Sequence, residues 1–502
     1  MSKILIIGNT EYTVSERNMA SDGISKTCCR RQYITYKEKK YFLLQFLSEL
    51  LNEEGIHNKL SLCDIQLPIT CSLNNYLCDR GMDCQLISYE EVKSYAEAIP
   101  DVIIVYLGDT SNMLPVRRVV NNIKKIFPEV KVILNCPYVY NKWATGKSGE
   151  IETAMDTIGA DHYLIYSVDY EHLYDIVENI ISGEKNIDRI ILEKKQVSCR
   201  EIERAESNYM ALSDSAIVYL KTTIGCPARC TFCNFPIKNS IYEVDELSVV
   251  EKKLDKIQAN GTKYVIFSDD TFNIPVRRFK DICRMIIEKG YTFRWFCYCR
   301  LNELDEEGIE LLEKAGCLGV YVGIESADDE MFRIMKKGGT VEDYRQKMEF
   351  LHKHSILVCA FFLVGFCGET NETVEGNIRF LNESHIDFYT ANLWYADVTT
   401  PIYSEAELYN LEGKDFNWKH STMNSSEAAG YTDHIISKVK GPIFVPNEQF
   451  GFQGIAYLMY KGYSIEEVKK LLCYSYKMIM NNIDKNFCDE EKTVAEIKKI
   501  LI

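Results

Sequence analysis

Three cysteines of this chain lie close together in sequence at a spacing that suits metal chemistry. Cys226, Cys230 and Cys233 fall within the segment Ile224-Gly-Cys-Pro-Ala-Arg-Cys-Thr-Phe-Cys-Asn-Phe-Pro236. A four-iron, four-sulfur cluster normally takes four cysteine ligands, so three thiolates leave one iron open to a substrate or cofactor. The alternatives are core thiols at a chance spacing or a zinc site without its fourth ligand. Because zinc motifs usually pair two short Cys or His spacings, the segment predicts a catalytic 4Fe-4S cluster.

The elements around this loop alternate between short apolar strands and helical patterns. Six strands are predicted at residues 216–223, 263–267, 293–298, 318–324, 357–365 and 388–394. Six such units predict a partial (β/α)6 barrel, with active residues at the carboxyl ends of its strands. The cysteine loop follows the first of these strands directly.

The first third of the chain has the same rhythm and predicts a separate α/β domain. Apolar strands at residues 3–8, 101–107, 130–135 and 162–166 are each followed by a helical pattern, which is typical of a doubly wound, flavodoxin-like or Rossmann-like sheet. Ligands of such sheets lie beyond the carboxyl ends of the strands. Here those ends carry Asp109, Thr110, Ser111 and Asn135.

These patterns predict an α/β protein with four regions. Residues 1–190 form the first domain, 191–211 a linker, 212–398 the barrel, and 399–502 a mainly helical region that covers the substrate. In the last region, Ser464 and Glu467 have the spacing of a helix capping box.

Composition limits the function. The 502 residues carry a net charge of -15, which disfavours a nucleic-acid partner and favours a small molecule or a peptide. The longest apolar run, residues 357–366, is far shorter than the roughly 20 residues that span a bilayer, so no membrane partner is expected. The 19 cysteines without a secretory leader predict a reducing, cytoplasmic location.

The cysteine spacing, with Phe232 before the last thiol, resembles the signature of the radical S-adenosylmethionine (SAM) superfamily. The resemblance implies that SAM binds the open iron and is cleaved reductively to a 5'-deoxyadenosyl radical. It also implies an external low-potential electron donor, a flavodoxin or a ferredoxin. Phe232 is then expected beside the cofactors.

The same resemblance implies SAM contacts at the ends of the later barrel strands. Ser268 and Asp269, with Asp270 beside them, would receive the SAM ammonium group, and a helix cap is the alternative. Arg300 would meet the SAM carboxylate or else form a surface salt bridge.

Two further strand ends continue this pattern. Glu325 would accept from the ribose hydroxyls, with a buried ion pair as the alternative. Gly365 and Gly368 would let the main chain approach the adenine, although a plain strand-to-helix turn also uses glycines.

The first domain is similar to the cobalamin-binding domain of B12-dependent radical SAM enzymes, in segments 100–105, 126–134 and 159–163. The resemblance implies methylcobalamin as a second cofactor, held by the strand-end residues Asp109, Thr110, Ser111 and Asn135. None of the eight histidines lies in the loop after the first strand, so cobalt is expected to receive no His from this domain. The alternative is a sheet that binds no corrinoid.

Segments 392–397, 400–402 and 417–423 resemble the phosphinothricin P-methyltransferase branch of this family. Trp394, Trp418 and His420 would wall the barrel mouth, and Lys419 would pair with an anionic substrate. A structural cap on the barrel is the alternative.

Together these features predict a cobalamin-dependent radical SAM methyltransferase. The resemblance implies that the adenosyl radical removes a substrate hydrogen, and that the substrate radical takes a methyl group from methylcobalamin. The acceptor would be an unactivated sp3 carbon or a phosphinate phosphorus. The alternatives are a B12-binding enzyme that rearranges or cyclises its substrate, and a non-catalytic corrinoid or iron-sulfur sensor.

The other cysteines are expected to be ordinary thiols. A second cluster at Cys63, Cys71, Cys78 and Cys84 would need ligands at long and irregular spacings. The thiols in barrel strands and turns are predicted to be core residues, namely Cys297, Cys299, Cys317, Cys359 and Cys367.

Overall fold

The structure is a computed structural model. It describes residues 3–8, 24, 28–56, 60–61, 68–97, 99–107, 113–136, 139, 148–165, 170–184, 186–191, 217–234, 242–446 and 451–502. The chain divides into two compact units, an N-terminal unit of residues 1–20 and 61–215 and a barrel unit of residues 21–60 and 216–502. Residues 21–60, which the sequence assigned to the first domain, therefore group with the barrel.

The N-terminal unit is built on a six-stranded parallel sheet. Its strands, in chain order, are Lys3–Ile7, Asp83–Ile87, Val102–Tyr106, Lys131–Asn135, His162–Leu164 and Ile190–Ile191. Their spatial order is 2-1-3-4-5-6, so the order reverses between the first and third strands. This is the flavodoxin-like arrangement, in which the switch point is the usual ligand site.

Both faces of this sheet are buried, as doubly wound sheets require. Leu5, Ile103 and Val132 belong to one apolar cluster, whereas Ile4 and Ile104 belong to a second cluster on the opposite face. The helices of this unit are Pro68–Asp79, Met113–Ile126, Ser148–Ile158 and Tyr170–Ile181. The predicted α/β fold class is confirmed.

The barrel unit contains a seven-stranded parallel sheet. The six predicted strands are present as Ile217–Leu220, Tyr264–Phe267, Arg294–Cys299, Cys317–Glu325, Leu357–Val364 and Phe388–Leu393, and they are neighbours in that order. A seventh strand, Ile443–Phe444, pairs with the sixth. This strand was not predicted from the sequence, because a strand of two residues is too short to show a periodic pattern.

Helices follow the barrel strands and cover one face of the sheet. They are Leu247–Ala259, Val276–Lys289, Glu306–Lys314, Asp329–Met335, Val341–Lys353 and Asn371–Glu383. Trp295 packs against Phe272, which in turn packs against Phe279 of a helix. Because strand side chains alternate between faces, Tyr298 points to the opposite, inner face of the barrel.

The chain after the barrel is mainly helical, as predicted. It contains the hairpin Glu412–Lys414 and Asn417–Lys419 and the helices Ala406–Tyr409, Ser425–Lys438, Phe452–Tyr460, Ile465–Met480 and Glu490–Leu501. Ser464 caps the fourth of these helices by accepting from the main chain of Glu467, which confirms the predicted capping box.

A segment near the start of the chain packs onto these last helices. It holds the strands Ile34–Tyr36 and Lys39–Tyr41 and the helix Leu43–Glu53. Arg31 donates to Asp433 at 2.6 Å and to the main chain of Ala429 at 2.6 Å. The two ends of the barrel unit are thus joined by a buried ion pair. In the part of the chain described here, no helix is long and apolar enough to cross a membrane.

Candidate active site

The cysteine loop leaves the first barrel strand and is anchored at its centre. Cys230 is only 5% exposed, while Cys226 and Cys233 are half-buried. Thr231 donates through its main chain to Met335 at 3.1 Å and through its hydroxyl to Ile334 at 2.8 Å. The loop is therefore held against the end of helix Asp329–Met335, on a turn that the sequence did not single out.

Asp269 anchors the beginning of this loop. Its carboxylate accepts from the main chain of Thr222 at 2.5 Å, from the Thr222 hydroxyl at 2.6 Å and from the main chain of Thr223 at 2.7 Å. Asp269 is fully buried, and burial raises its pKa. With both oxygens engaged inside the protein, Asp269 is placed as a structural anchor rather than as the predicted receptor of the SAM ammonium group.

The neighbouring residues at this strand end are more accessible. The Asp270 side chain is 25% exposed and lies 4.0 Å from the Lys221 ammonium group. Ser268 is half-buried and donates through its main chain to Leu220 at 2.9 Å. Of the two adjacent carboxylates, Asp270 is the one that a cationic ligand can reach.

Arg300 lies against the cysteine loop. Its Nη1 donates to the Cys230 Sγ at 3.3 Å, and its Nη2 donates to the main-chain oxygen of Lys337 at 2.6 Å. Burial raises the pKa of the Cys226 thiol, and the nearby Arg300 charge opposes that shift. The guanidinium is thus directed at Cys230, whereas the sequence predicted a SAM carboxylate or a surface salt bridge.

Glu325 forms a buried ion pair with Lys337. The Lys337 Nζ lies 3.2 Å from the Glu325 Oε1, and the two side chains are 7% and 13% exposed respectively. Glu325 has a left-handed backbone with φ of 67°, at an irregularity in the strand pairing. The Lys337 ammonium group also lies 5.6 Å from the Phe232 ring centroid. The structure therefore contains the buried ion pair, which was the alternative to a contact between Glu325 and the ribose hydroxyls.

Lys337 was missed by the sequence analysis although it connects these groups. It belongs to Met335-Lys-Lys-Gly-Gly339, where both glycines have positive φ. The sequence signal for this residue was the pair Lys336-Lys337 followed by two glycines, in a segment between two helices. The Phe232 ring meets Phe366 edge to face at 6.2 Å, and its place beside the cofactors stays a prediction.

The turn after the fifth strand is shaped by internal packing. Gly365 and Gly368 have φ of 92° and 93°. A Cβ at Gly365 would lie 2.6 Å from both Trp418 and Ala428, and one at Gly368 would lie 2.7 Å from Ile334. These contacts explain both glycines without an adenine, which favours the plain-turn reading.

Glu369 stabilises the same turn from inside. It is fully buried, accepts from the main chain of Gly365, and accepts from the Asn377 amide at 3.2 Å. Burial raises the pKa of Glu369 to about 8.

The predicted aromatic wall is a packed cluster. Trp394 and Trp418 are buried, and the Trp418 indole donates to the main chain of Trp394 at 3.0 Å. His420 stacks on Trp418 and hydrogen-bonds the Gly365 oxygen at 3.1 Å, and burial lowers the His420 pKa. Lys419 points outward and pairs with Glu412 at 3.0 Å. These contacts match a structural cap on the barrel.

An aromatic surface lines the inner face of the barrel, and the sequence analysis did not identify it. Tyr298, Tyr321 and Phe361 stack across three adjacent strands, with ring centroids 4.6 and 5.4 Å apart. Tyr298 is 38% exposed. The alternation of side chains along each strand could have predicted that each ring faces the inside of the barrel. Only the order of the strands in the sheet shows that the three rings stack on one another.

Of the four residues predicted to bind cobalamin, only Asn135 is among the described residues. Asp109, Thr110 and Ser111 lie outside the described residues. Asn135 ends its strand half-buried, and its amide lies 3.4 Å from the Leu164 oxygen.

The remaining cysteines behave as ordinary thiols where they are described. Cys63 lies outside the described residues, Cys71 is buried, and the Cys78 thiol lies 3.7 Å from the Cys84 oxygen. The five cysteines predicted for the core are all buried. Within the described ranges, no three His, Cys, Asp or Glu side chains converge on a common metal position.

The donor set of the cysteine loop nevertheless fits an iron-sulfur cluster by its chemistry. Three thiols lie within eight residues, the middle one is buried, and a guanidinium faces it. Thiolates next to a cation are the ligands that iron-sulfur clusters take. Cys226, Cys230 and Cys233 are the residues that would hold it.

Residues 220–381 match the Radical SAM superfamily. The chain is 28% identical over 228 residues to an uncharacterised methyltransferase of Pyrococcus horikoshii, covering 43% of this chain and 48% of that protein. It is 27% identical over 200 residues to the bacteriochlorophyllide d C-12(1)-methyltransferase of Chlorobaculum tepidum, covering 38% and 43%. It is 23% identical over 279 residues to the anaerobic magnesium-protoporphyrin IX monomethyl ester cyclase of Rubrivivax gelatinosus, covering 53% and 48%. The chain spans about half the length of these relatives.

Two solved structures share the fold. The radical S-adenosylmethionine methyltransferase TsrM from Kitasatospora setae, with a tryptophan substrate and a SAM analogue bound, matches with a TM-score of 0.53 and 19% identity over 68% of this chain and 73% of that chain. The cobalamin-dependent S-adenosylmethionine radical enzyme OxsB with aqua-cobalamin bound matches with a TM-score of 0.53 and 12% identity over 100% and 84%.

Proposed function

We propose that this chain is a radical SAM enzyme and a cobalamin-dependent methyltransferase. The anchored three-cysteine loop at the carboxyl end of the barrel carries the proposal, because it leaves one iron of a cluster open for SAM. When bound, the cluster and SAM supply a 5'-deoxyadenosyl radical and cobalamin supplies the methyl group.

The residues of the chain would position these groups and exclude water. Asp269 holds the beginning of the cysteine loop and Thr231 holds its centre. Asp270, at an accessible strand end, is the carboxylate that would meet the SAM ammonium group. The packed cap around Trp394 and Trp418 would shield part of the site from solvent, which would protect a radical from side reactions.

The substrate would lie against the aromatic inner surface formed by Tyr298, Tyr321 and Phe361. Such a surface suits the apolar part of a small molecule or a peptide. The proposed acceptor is an unactivated sp3 carbon or a phosphinate phosphorus. The reductant would be an external flavodoxin or ferredoxin.

The test is anaerobic reconstitution with iron, sulfide and hydroxocobalamin, followed by strong reductant, methyl-labelled SAM and candidate phosphinates and peptides. We expect 5'-deoxyadenosine and label in the product. Cys230→Ala should abolish SAM cleavage, whereas Cys283→Ala, which removes a buried thiol of a barrel helix, should retain it.

The outcomes separate the competing functions. Formation of 5'-deoxyadenosine with an altered but unlabelled product would indicate a rearrangement or cyclisation, the kind of reaction named for the cyclase relative. A reconstituted wild type that forms no 5'-deoxyadenosine would contradict the enzyme proposal and leave a non-catalytic sensor.

A further inference from the structure

Arg300 is a half-buried cation with unusual hydrogen-bond partners at the cysteine loop. Among the residues described, it forms no salt bridge with a carboxylate, and its side chain instead donates to the Cys230 sulfur and the Lys337 carbonyl. Because a guanidinium that is partly withdrawn from water still needs acceptors, the Cys230 sulfur takes the position that a carboxylate often fills.

The position of Arg300 is also fixed from several sides. Its main-chain N–H donates to the Asn273 Oδ1 at 2.9 Å, and the Asn273 amide donates to its carbonyl at 2.8 Å. Asn273 is fully buried. With Nη2 held by Lys337 at 2.6 Å, the guanidinium has little freedom to turn away from the cysteine loop.

We propose that Arg300 is the fixed counter-ion of the iron-sulfur cluster and that it raises the reduction potential of that cluster. This inference rests on the proposed function, since it needs a cluster on Cys226, Cys230 and Cys233. A positive charge and an N–H···S hydrogen bond stabilise the state of the cluster with one more electron. That electron comes from the external low-potential donor, and no proton moves because the guanidinium stays charged.

This role differs from the expected contact with the SAM carboxylate. In the structure one N–H of each terminal nitrogen is directed at a protein acceptor, the Cys230 sulfur and the Lys337 carbonyl, and the SAM-binding measurement below tests whether the other N–H groups also meet a carboxylate. Arg300 therefore acts through the cluster and is a positioning residue.

The test is an anaerobic redox titration of the reconstituted full chain without SAM, cobalamin or substrate, followed by electron paramagnetic resonance. We expect Arg300→Gln to lower the midpoint potential, and Arg300→Lys, which keeps the charge but not the fork, to lower it less. Arg294→Gln is the matched control, because Arg294 is exposed on the same strand and donates to the Gly316 carbonyl. It should leave the midpoint unchanged.

A full iron content with an unchanged midpoint in Arg300→Gln would overturn the proposal. If Arg300→Gln assembles no cluster while Arg300→Lys does, the counter-ion role is supported. If neither assembles one, charge is not what the site requires and the proposal fails.

SAM affinity, measured on the same proteins, separates the rival role. Weaker SAM binding with a normal midpoint in Arg300→Gln would assign the residue to the SAM carboxylate instead. Failure of the proposed function has a different signature, since the wild type would then form no 5'-deoxyadenosine whatever the potential of its cluster.

Discussion

Replacing Asp269 by Asn tests whether this carboxylate holds the cysteine loop in its functional position. The side chains have nearly the same shape, so the change removes the negative charge and one acceptor without opening a cavity. Three donors from Thr222 and Thr223 converge on Asp269 within 2.5 to 2.7 Å. Hydrogen bonds to a charged group stabilise by about 1 kcal/mol more than neutral ones. The variant should therefore lose roughly 3 kcal/mol from this local structure.

The assay is hydrogen exchange of the loop, residues 221–234, together with iron content after reconstitution. A loss of about 3 kcal/mol corresponds to amide exchange about 100-fold faster in this loop, at roughly tenfold per 1.4 kcal/mol. Iron per chain should fall as well, because the cysteines that follow Thr223 are no longer held in place.

Asp270→Asn is the matched control for this experiment. Asp270 is the adjacent residue, with a partly exposed side chain 4.0 Å from Lys221. We expect its replacement to leave loop exchange and iron content unchanged while weakening SAM binding. Wild-type exchange and iron content in Asp269→Asn, or equal effects of the two variants, would refute the reasoning.

Three further predictions concern stability. Burial raises the pKa of Glu369 to about 8, so between about pH 5 and about pH 8 the folded wild type holds a proton that the unfolded chain releases. Over this pH range the free energy of unfolding of the wild type should fall by up to about 5 kcal/mol relative to that of Glu369→Gln. Parallel pH profiles of thermal unfolding for the two proteins would contradict this. Asp433→Ala leaves the Arg31 charge buried and unpaired and should cost about 3 to 5 kcal/mol in denaturant unfolding, so a loss below about 1 kcal/mol would argue against a buried pair. Gly365→Ala forces a side chain onto φ of 92° and against Trp418 and should cost about 2 to 4 kcal/mol, whereas an unchanged melting temperature would show that the turn relaxes freely.

Much of the architecture could be predicted from local patterns. The six barrel strands and four of the six described strands of the N-terminal sheet are apolar runs followed by helices, and each run is recognisable over a few residues. The strands Asp83–Ile87 and Ile190–Ile191 were not predicted. The spacing of Cys226, Cys230 and Cys233 is equally local. A two-residue seventh strand has no such pattern, and it forms only because the sixth strand offers an open edge.

The roles of individual site residues could not be predicted in the same way. Asp269 and Arg300 both occupy strand ends, where the sequence suggested contacts with SAM. Their partners in the structure lie 47 and 70 residues away in the chain, at Thr222 and Cys230. Whether a charged side chain faces a ligand or an internal donor depends on those distant neighbours.

The sequence by itself determined the fold class and the spacing of the three cysteines of the loop, because hydrophobic periodicity and motif spacing act over short stretches of chain. Only the tertiary structure decided that Arg31 is buried against Asp433, 402 residues away, and that residues 21–60 belong with the barrel. It also decided that a guanidinium faces Cys230. Ion pairs and hydrogen bonds act over a few ångströms in space, so their partners exist only once the strands and helices have packed.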